Sequence, residues 1–233
     1  MSKLETQTKE MIMKKVSLKL VLGLIVTLGL IGLFAQLADG VLENELEAFD
    51  HVLSTMVHSL QAPWLTEVMI FITHIGNTMT YVVVVSLYLV VLLVKRLKLE
   101  SFILLLTILG AWGLNGLLKI SFQRARPSIE HLIEVGGYSF PSGHAMVSCA
   151  AYGIMAYLIA YYLGRRNKPY WYIAALASIL IFLIGVSRIY LHVHYPSDVI
   201  AGFAAGGAWL LTCIFTMKTL KRRGEKRSVS AEM

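Results

Sequence analysis

Long apolar runs separated by short polar breaks make up most of this chain. Crossing the hydrocarbon core of a bilayer takes about 20 apolar residues, with a range of about 17–25. Six runs meet that length, at about 18–38, 78–94, 101–118, 145–164, 170–187 and 199–217. Because no stretch between them is long enough to fold alone, the pattern predicts one all-α, polytopic membrane domain over residues 1–233, a bundle of six transmembrane helices.

A different spacing follows the first run, where apolar residues recur at intervals of three and four. They are Leu42, Leu46, Phe49, Leu53, Met56 and Leu60. This spacing predicts an amphipathic helix over residues 41–61, lying on the outer membrane surface as a solvated cover or as a lipid gate. Pro63 is expected to end it. The apolar stretch 64–75 is too short to span, and Gly76 and Asn77 separate it from the second spanning helix.

The composition agrees with a membrane-embedded chain. Of the 233 residues, 57% are hydrophobic and 15% are charged, whereas soluble domains have about 45–50% and about 25%. The first run is interpreted as an uncleaved anchor, because it exceeds the apolar core of about 7–15 residues found in secretory signals and no clear cleavage motif follows. Cys149 and Cys213 lie within apolar runs, so we expect packing residues and no disulfide framework.

Positive charge is concentrated on one side of the predicted bundle. The N-terminus, the loops after the second and fourth helices and the C-terminal tail hold most of the Lys and Arg residues. The positive-inside rule makes this side cytoplasmic, with both termini inside. The net charge of +7 is thereby explained by topology, so nucleic acid is not expected as a partner, and no obligate protein partner is inferred.

Three polar stretches interrupt the apolar pattern at the outer edge of the predicted bundle. They are KISFQRARP (119–127), SFPSGHAMVS (139–148) and SRIYLHVHYPSD (187–198). Each begins or ends a helix on the same side of the membrane, so we expect the three stretches to meet in space.

The cations of these stretches predict an anion site. Lys119, Arg126 and Arg188 are expected to converge, and guanidinium groups match phosphate oxygens in a bidentate manner. Pro-Ser-Gly before the fourth helix predicts a turn into a helix N-terminus, where free N–H groups and the helix dipole favour a phosphate. Ser142 is expected to cap that helix.

The third stretch adds a nucleophile to this anion site. Asp198 lies in the predicted first turn of the sixth helix, close enough to His194 to accept a hydrogen bond from one ring nitrogen and leave the other free to attack. His144 is a second imidazole that can protonate a leaving oxygen. These groups are the parts needed to cleave a phosphate ester through a phosphohistidine, with the cations stabilising charge.

The three stretches together resemble the signature of the type 2 phosphatidic acid phosphatase superfamily. The matching motifs are K-x6-R-P (Lys119, Arg126, Pro127), P-S-G-H (141–144) and S-R-x5-H-x3-D (Ser187, Arg188, His194, Asp198). All signature positions match, in order, and the six-helix layout agrees over nearly the whole chain. The resemblance therefore implies a metal-independent phosphatase that needs no cofactor.

The resemblance also implies a role for each site residue. His194 would be the nucleophile, Asp198 its orienting carboxylate, and His144 the general acid and then the base that activates water. The phosphate would be held by Lys119, Arg126, Arg188 and the backbone of Ser142 and Gly143.

A substrate whose tail stays in lipid while its phosphate reaches the surface suits a site at helix ends. We expect a multi-pass protein of a bacterial plasma membrane that acts on the extracytoplasmic face and converts phosphatidylglycerophosphate to phosphatidylglycerol. Undecaprenyl diphosphate and phosphatidic acid are the alternative substrates. A lipid-phosphate binding protein or a phosphotransferase is the alternative of another class, although the short outer loops are expected to leave little room for a second headgroup pocket.

Several polar residues have simpler interpretations. His192 could bind a metal with Asp198, but three nearby cations disfavour a divalent ion there. Arg124 is expected to contact lipid headgroups or solvent, and Asn115 to bond a neighbouring helix. Gly202 and Gly206 form GxxxG, which predicts close helix packing.

Overall fold

The protein is described by a computed structural model covering residues 3–231 and, within them, the side chains of residues 18 and 20–224. Part of the charge pattern used to predict topology lies outside the described side chains, at Lys3, Lys9, Lys14, Lys15, Lys19, Lys226 and Arg227.

Within residues 3–231 the chain forms eight helices and no strand. They are α1 (Lys3–Leu42), α2 (Glu47–His58), α3 (Pro63–Ile75), α4 (Thr78–Val94), α5 (Lys98–Phe122), α6 (Gly143–Gly164), α7 (Trp171–Tyr190) and α8 (Pro196–Ala231). The all-α fold class predicted from the apolar runs is confirmed.

Five helices of the described part are long and apolar enough to cross a membrane: α1 over Leu20–Leu42, α5, α6, α7, and α8 over Pro196–Gly224. The short helices α3 and α4 are bent by 50° relative to each other and provide a sixth span if they act as one. The predicted run 78–94 coincides with α4, whose 17 residues are at the lower limit for a spanning helix. The second predicted span is therefore one arm of a broken helix pair.

The amphipathic surface helix is shorter than the predicted 41–61. The first spanning helix continues to Leu42, a turn that includes Asn44 at a positive φ of 59° follows, and α2 occupies only Glu47–His58. Pro63 does not end α2 but begins α3. Proline is tolerated there because the N–H groups of the first helical turn make no hydrogen bond within the helix.

The core is organised around α6, which packs against α5, α7 and α8. Helices α6 and α8 approach each other closely, backbone against backbone. A Cβ added at Gly202 would lie 2.7 Å from the Ser142 carbonyl oxygen, and one at Gly206 would lie 2.5 Å from that of Met146. The GxxxG prediction of close packing is confirmed, and it brings the N-terminal turns of α6 and α8 together.

Candidate active site

The three polar stretches meet at one end of the bundle, where α5 and α7 end and α6 and α8 begin. Helix α5 terminates at Gln123, whose φ of 48° turns the chain out of the helix. The following segment returns to the bundle, so that a guanidinium nitrogen of Arg126 lies 3.3 Å from Nε2 of His194. The Ser142 N–H donates to the main-chain oxygen of Asp198 at 2.9 Å, which joins the second stretch to the third.

His194 and Asp198 form a buried pair. Nδ1 of His194 lies 3.2 Å from Oδ2 of Asp198, and their exposed fractions are 3% and 0%. The same Oδ2 accepts a bond from the Tyr195 N–H at 2.9 Å and one from the Ser139 hydroxyl. An ionised carboxylate only accepts hydrogen bonds, so Nδ1 carries the proton and Nε2 keeps its lone pair.

Burial lowers the pKa of His194 to about 3, even though the hydrogen bond that its ring donates to Asp198 acts in the opposite direction. A neutral imidazole is therefore the dominant form at neutral pH. An unprotonated Nε2 is what nucleophilic attack on phosphorus requires.

The three cations predicted to bind phosphate lie within electrostatic range of the pair of His194 and Asp198. Arg126 donates to the main-chain oxygens of Val193 at 2.6 Å, Gly137 at 3.1 Å and Gly136 at 2.9 Å. Lys119, in the last turn of α5, donates to a main-chain oxygen at Tyr138. Bonds from fixed cations to neutral carbonyls are weaker than bonds to an anion, so a phosphate can take their place.

Arg188 has a buried donor that no protein group satisfies within the described residues. Its side chain is 3% exposed, one terminal nitrogen donates to Thr73 Oγ1 at 2.7 Å, and its buried Nε has no hydrogen-bond partner within the described residues. A buried, unsatisfied donor on a charged group costs on the order of 1–3 kcal/mol or more. An anion bound between Arg188 and its cationic neighbours would remove that cost.

His144 lies in the first turn of α6, within electrostatic range of Lys119, Arg126, Arg188 and His194. Its Nε2 lies 3.2 Å from Oδ1 of Asn77, at the break between α3 and α4. Asn77 did not feature among the predicted site residues, because nothing in the local sequence connects this break to the polar stretches.

Ser142 differs in part from its predicted role, whereas the predicted role of Gly143 stays a prediction. Ser142 does cap α6, since its hydroxyl accepts from the Ala145 N–H at 3.5 Å. Its own N–H, however, is bonded to Asp198, because α8 approaches α6 so closely. The predicted contribution of the Ser142 amide to phosphate binding is therefore not supported, and the amide instead holds α8 in place.

The expectation that Arg124 contacts lipid or solvent is wrong. Its guanidinium bonds Asp198 Oδ1 and Asp50 Oδ2, each at 2.7 Å. Asp50, Arg124 and Ser139 thus adjoin the pair of His194 and Asp198, although none was predicted to belong to the site. Arg124 and Ser139 lie inside the first and second polar stretches, which is a signal that the sequence carries, whereas Asp50 left none.

His192 does not join Asp198. Its Nδ1 lies 2.8 Å from the main-chain oxygen of Glu130, its Nε2 lies 2.5 Å from Gln61, and its ring lies 4.0 Å from that of His58. The alternative metal site is thus not formed, and no group of three or more His, Cys, Asp or Glu residues within the described part is placed to hold a metal ion.

Two cavities reach the histidines between different helices. One of about 540 Å³ lies between α4 and α5, and its lining includes His144 and apolar side chains such as Val85, Leu105 and Trp112. The other, of about 1030 Å³, lies beneath α2 and reaches His194. The expectation that the outer loops leave little room for a headgroup pocket is therefore wrong.

The chain is similar to known membrane phosphatases in both sequence and fold. The family model described as PAP2 superfamily matches residues 100–222. The chain is 31% identical to phosphatidylglycerophosphatase B of Bacillus subtilis over 74% of its length and 85% of that protein. It is 27% identical to an undecaprenyl-diphosphatase of Sulfolobus acidocaldarius, over 70% and 75% respectively. The solved structure of a transmembrane PAP2-type phosphatidylglycerolphosphate phosphatase from Bacillus subtilis matches with a TM-score of 0.75 at 28% identity, covering 84% of this chain and 96% of that one.

Proposed function

The chain belongs to the PAP2 superfamily and is a multi-pass membrane lipid phosphatase, and from this premise we propose that it hydrolyses phosphatidylglycerophosphate to phosphatidylglycerol and phosphate. The single observation that carries the chemistry is the buried pair of His194 and Asp198, with the unpartnered Nε of Arg188 among the surrounding cations.

In the proposed first step, Lys119, Arg126 and Arg188 hold the phosphate while Nε2 of His194 attacks phosphorus. A phosphorus–nitrogen bond forms, the phosphorus–oxygen bond to the lipid breaks, and His144 gives its proton to the leaving oxygen. Asp198 stabilises the cationic imidazole ring that results.

In the proposed second step, His144 takes a proton from water as the water attacks phosphorus. The phosphorus–nitrogen bond breaks, inorganic phosphate leaves and His194 returns to its neutral form. These residues form and resolve the intermediate without a metal, because the three cations supply the charge that phosphoryl transfer needs.

The preference for phosphatidylglycerophosphate is supported by the relatives named above, one of which is a phosphatidylglycerophosphatase. The apolar cavity between α4 and α5 is suited to an acyl chain whose phosphate lies at His144. A diphosphate substrate is the second candidate, since the cavity of about 1030 Å³ beneath α2 could hold a further polar group. We also propose that both termini are cytoplasmic and that the site faces the extracytoplasmic side of a bacterial plasma membrane.

Phosphate release by detergent-purified protein tests the proposal. Rates on phosphatidylglycerophosphate, undecaprenyl diphosphate and phosphatidic acid, measured side by side with a chelator present, should be highest for the first lipid. Activity should be lost in His194→Ala and severely lowered in His144→Ala. Full activity in His194→Ala would reject the phosphohistidine, and activity that a chelator removes and one divalent metal restores would reject the metal-independent route.

A further inference from the structure

Asp50 is a carboxylate of the surface helix α2, yet only 2% of it is exposed. Its Oδ1 accepts the Ser197 N–H at 2.8 Å and its Oδ2 accepts the Ser197 hydroxyl at 2.7 Å. Ser197 lies in the first turn of α8, where free N–H groups and the helix dipole stabilise negative charge. The carboxylate therefore ties α2 to the turn that carries Asp198.

Arg124 extends this contact to Asp198 itself. One terminal nitrogen donates to Asp50 Oδ2 at 2.7 Å, and the other donates to Asp198 Oδ1 at 2.7 Å and to Ser197 Oγ at 2.8 Å. The guanidinium lies over the ring of Tyr195, 4.1 Å from its centroid. A guanidinium group that bonds two carboxylates and packs on an aromatic ring is held in one orientation, so it also fixes the orientation of the Asp198 carboxylate.

The two oxygens of Asp198 have separate partners. Oδ1 accepts from Arg124, whereas Oδ2 faces His194 Nδ1, Ser139 and the Tyr195 N–H. Rotating the carboxylate would break bonds on both sides. Arg124 thus keeps Oδ2 directed at the imidazole.

Arg124 differs from the cations assigned to phosphate. Its terminal nitrogens bond two carboxylates, whereas Arg126 and Lys119 bond neutral main-chain oxygens that an anion can displace. The carboxylates of Asp198 and Asp50 raise the pKa of Arg124 above its ordinary value in spite of the opposing effect of burial. The charge of Arg124 is already balanced without a substrate.

We propose that Asp50 and Arg124 are positioning residues of the phosphatase reaction, which orient Asp198 toward His194 and connect the surface helix α2 to the catalytic pair. The proposal rests on the roles proposed above for His194 and Asp198. It assigns to Arg124 an effect on turnover and none on phosphate affinity.

The test is a double-mutant cycle with Asp50→Asn and Arg124→Gln, in which kcat, KM and the inhibition constant of inorganic phosphate are measured. Arg124→Gln should lower kcat by about 10- to 100-fold, the loss expected for a catalytic group displaced by a fraction of an ångström to 1 Å. The KM and the phosphate inhibition constant should stay within about twofold. Asp50→Asn should lose less, since an amide oxygen still accepts the Ser197 N–H, and the double variant should be no worse than Arg124→Gln because the connection is already broken.

Controls separate this mechanism from misfolding and from direct binding. Glu45→Gln removes an exposed charge between α1 and α2 and should leave kcat unchanged. Arg124→Lys keeps the positive charge but cannot bond two carboxylates at once, so its kcat should lie between those of wild type and Arg124→Gln. The melting temperature in detergent shows whether Arg124→Gln is folded. If it is not, Arg124→Lys takes its place in the cycle with Asp50→Asn.

A raised KM or phosphate inhibition constant with unchanged kcat would show that Arg124 binds substrate, and independent, multiplicative losses in the cycle would show that the two residues act separately. Either result overturns the proposal. His194→Ala, assayed in parallel, reports separately on the phosphohistidine itself.

Discussion

Oδ1 of Asn77 lies 3.2 Å from Nε2 of His144, which places the break between α3 and α4 against the proposed general acid. The neighbouring Gly76 leaves no space beside this ring. A Cβ there would lie 2.8 Å from Cδ2 of His144 and 2.7 Å from Cγ2 of Ile184. The break in the second span thus sets the position of the side chain that we propose as the general acid.

Gly76→Ala should therefore lower kcat by about 10- to 100-fold, because the added methyl group must displace His144 or Ile184. Gly113→Ala in α5 is the matched control, since a Cβ there meets nothing within 4 Å, and its kcat should be that of wild type. Phosphate-release kinetics on both variants make the comparison. Wild-type turnover in Gly76→Ala would mean that the position of His144 does not limit the reaction.

The depressed pKa of His194, about 3, predicts how stability depends on pH. An unfolded histidine binds its proton near pH 6.5, whereas the folded one stays neutral until the pH approaches 3. The unfolded state therefore binds more protons in this window, and the stability that the neutral group contributes is present above pH 6.5 and is lost as the pH falls toward 3.

Melting temperatures of wild type and His194→Gln, measured in detergent from pH 7 to pH 4, test this linkage. The wild-type melting temperature should fall more steeply, because the glutamine variant lacks the titrating group. Parallel curves for the two proteins would show that burial does not hold His194 neutral.

The close approach of α8 to α6 predicts that Gly202→Ala is destabilising. Its methyl group would lie 2.7 Å from the Ser142 carbonyl oxygen, and overpacking of this kind costs about 1–3 kcal/mol. Thermal unfolding should show a lower melting temperature. Gly32→Ala in α1, where a Cβ meets nothing within 4 Å, should melt at or slightly above the wild-type temperature, since alanine favours a helix.

The proposed sidedness predicts the labelling of single cysteines by an impermeant thiol reagent in intact cells. A cysteine at the exposed Ser128, next to the site, should be labelled, whereas one at the exposed Lys168, between α6 and α7, should be protected. Both substitutions are made in a variant without Cys149 and Cys213. The reverse pattern would invert the topology derived from positive charge.

Much of the fold followed from local properties of the chain. A run of about 20 apolar residues commits a segment to the hydrocarbon region wherever its neighbours lie, so the predicted runs correspond to described helices. The exception is the surface segment. Apolar spacing there could not show that α1 continues to Leu42, because a helix end depends on a turn at Asn44 whose backbone angle no periodicity reveals.

The residues of the candidate site likewise fall into those that local sequence predicted and those that it did not. Residues His194 and Asp198 lie four positions apart, so the spacing and a helix start were enough to predict their pairing. The Ser197–Asp50 contact joins residues 147 positions apart, and the partners of Arg124 come from two different helices. No pattern along the chain distinguishes such an arginine from one that faces lipid.

The sequence by itself therefore determined that this is an all-α membrane protein and which residues could supply phosphate chemistry, since hydropathy and motif spacing act over one helix or one loop. Only the tertiary structure decided that Arg124 and Asp50 adjoin the pair of His194 and Asp198, that the Ser142 amide is bonded to Asp198 and that His144 lies against a helix break. The physical reason is that buried charges and donors take whichever partners helix packing brings within about 3 Å, and that packing depends on the whole bundle.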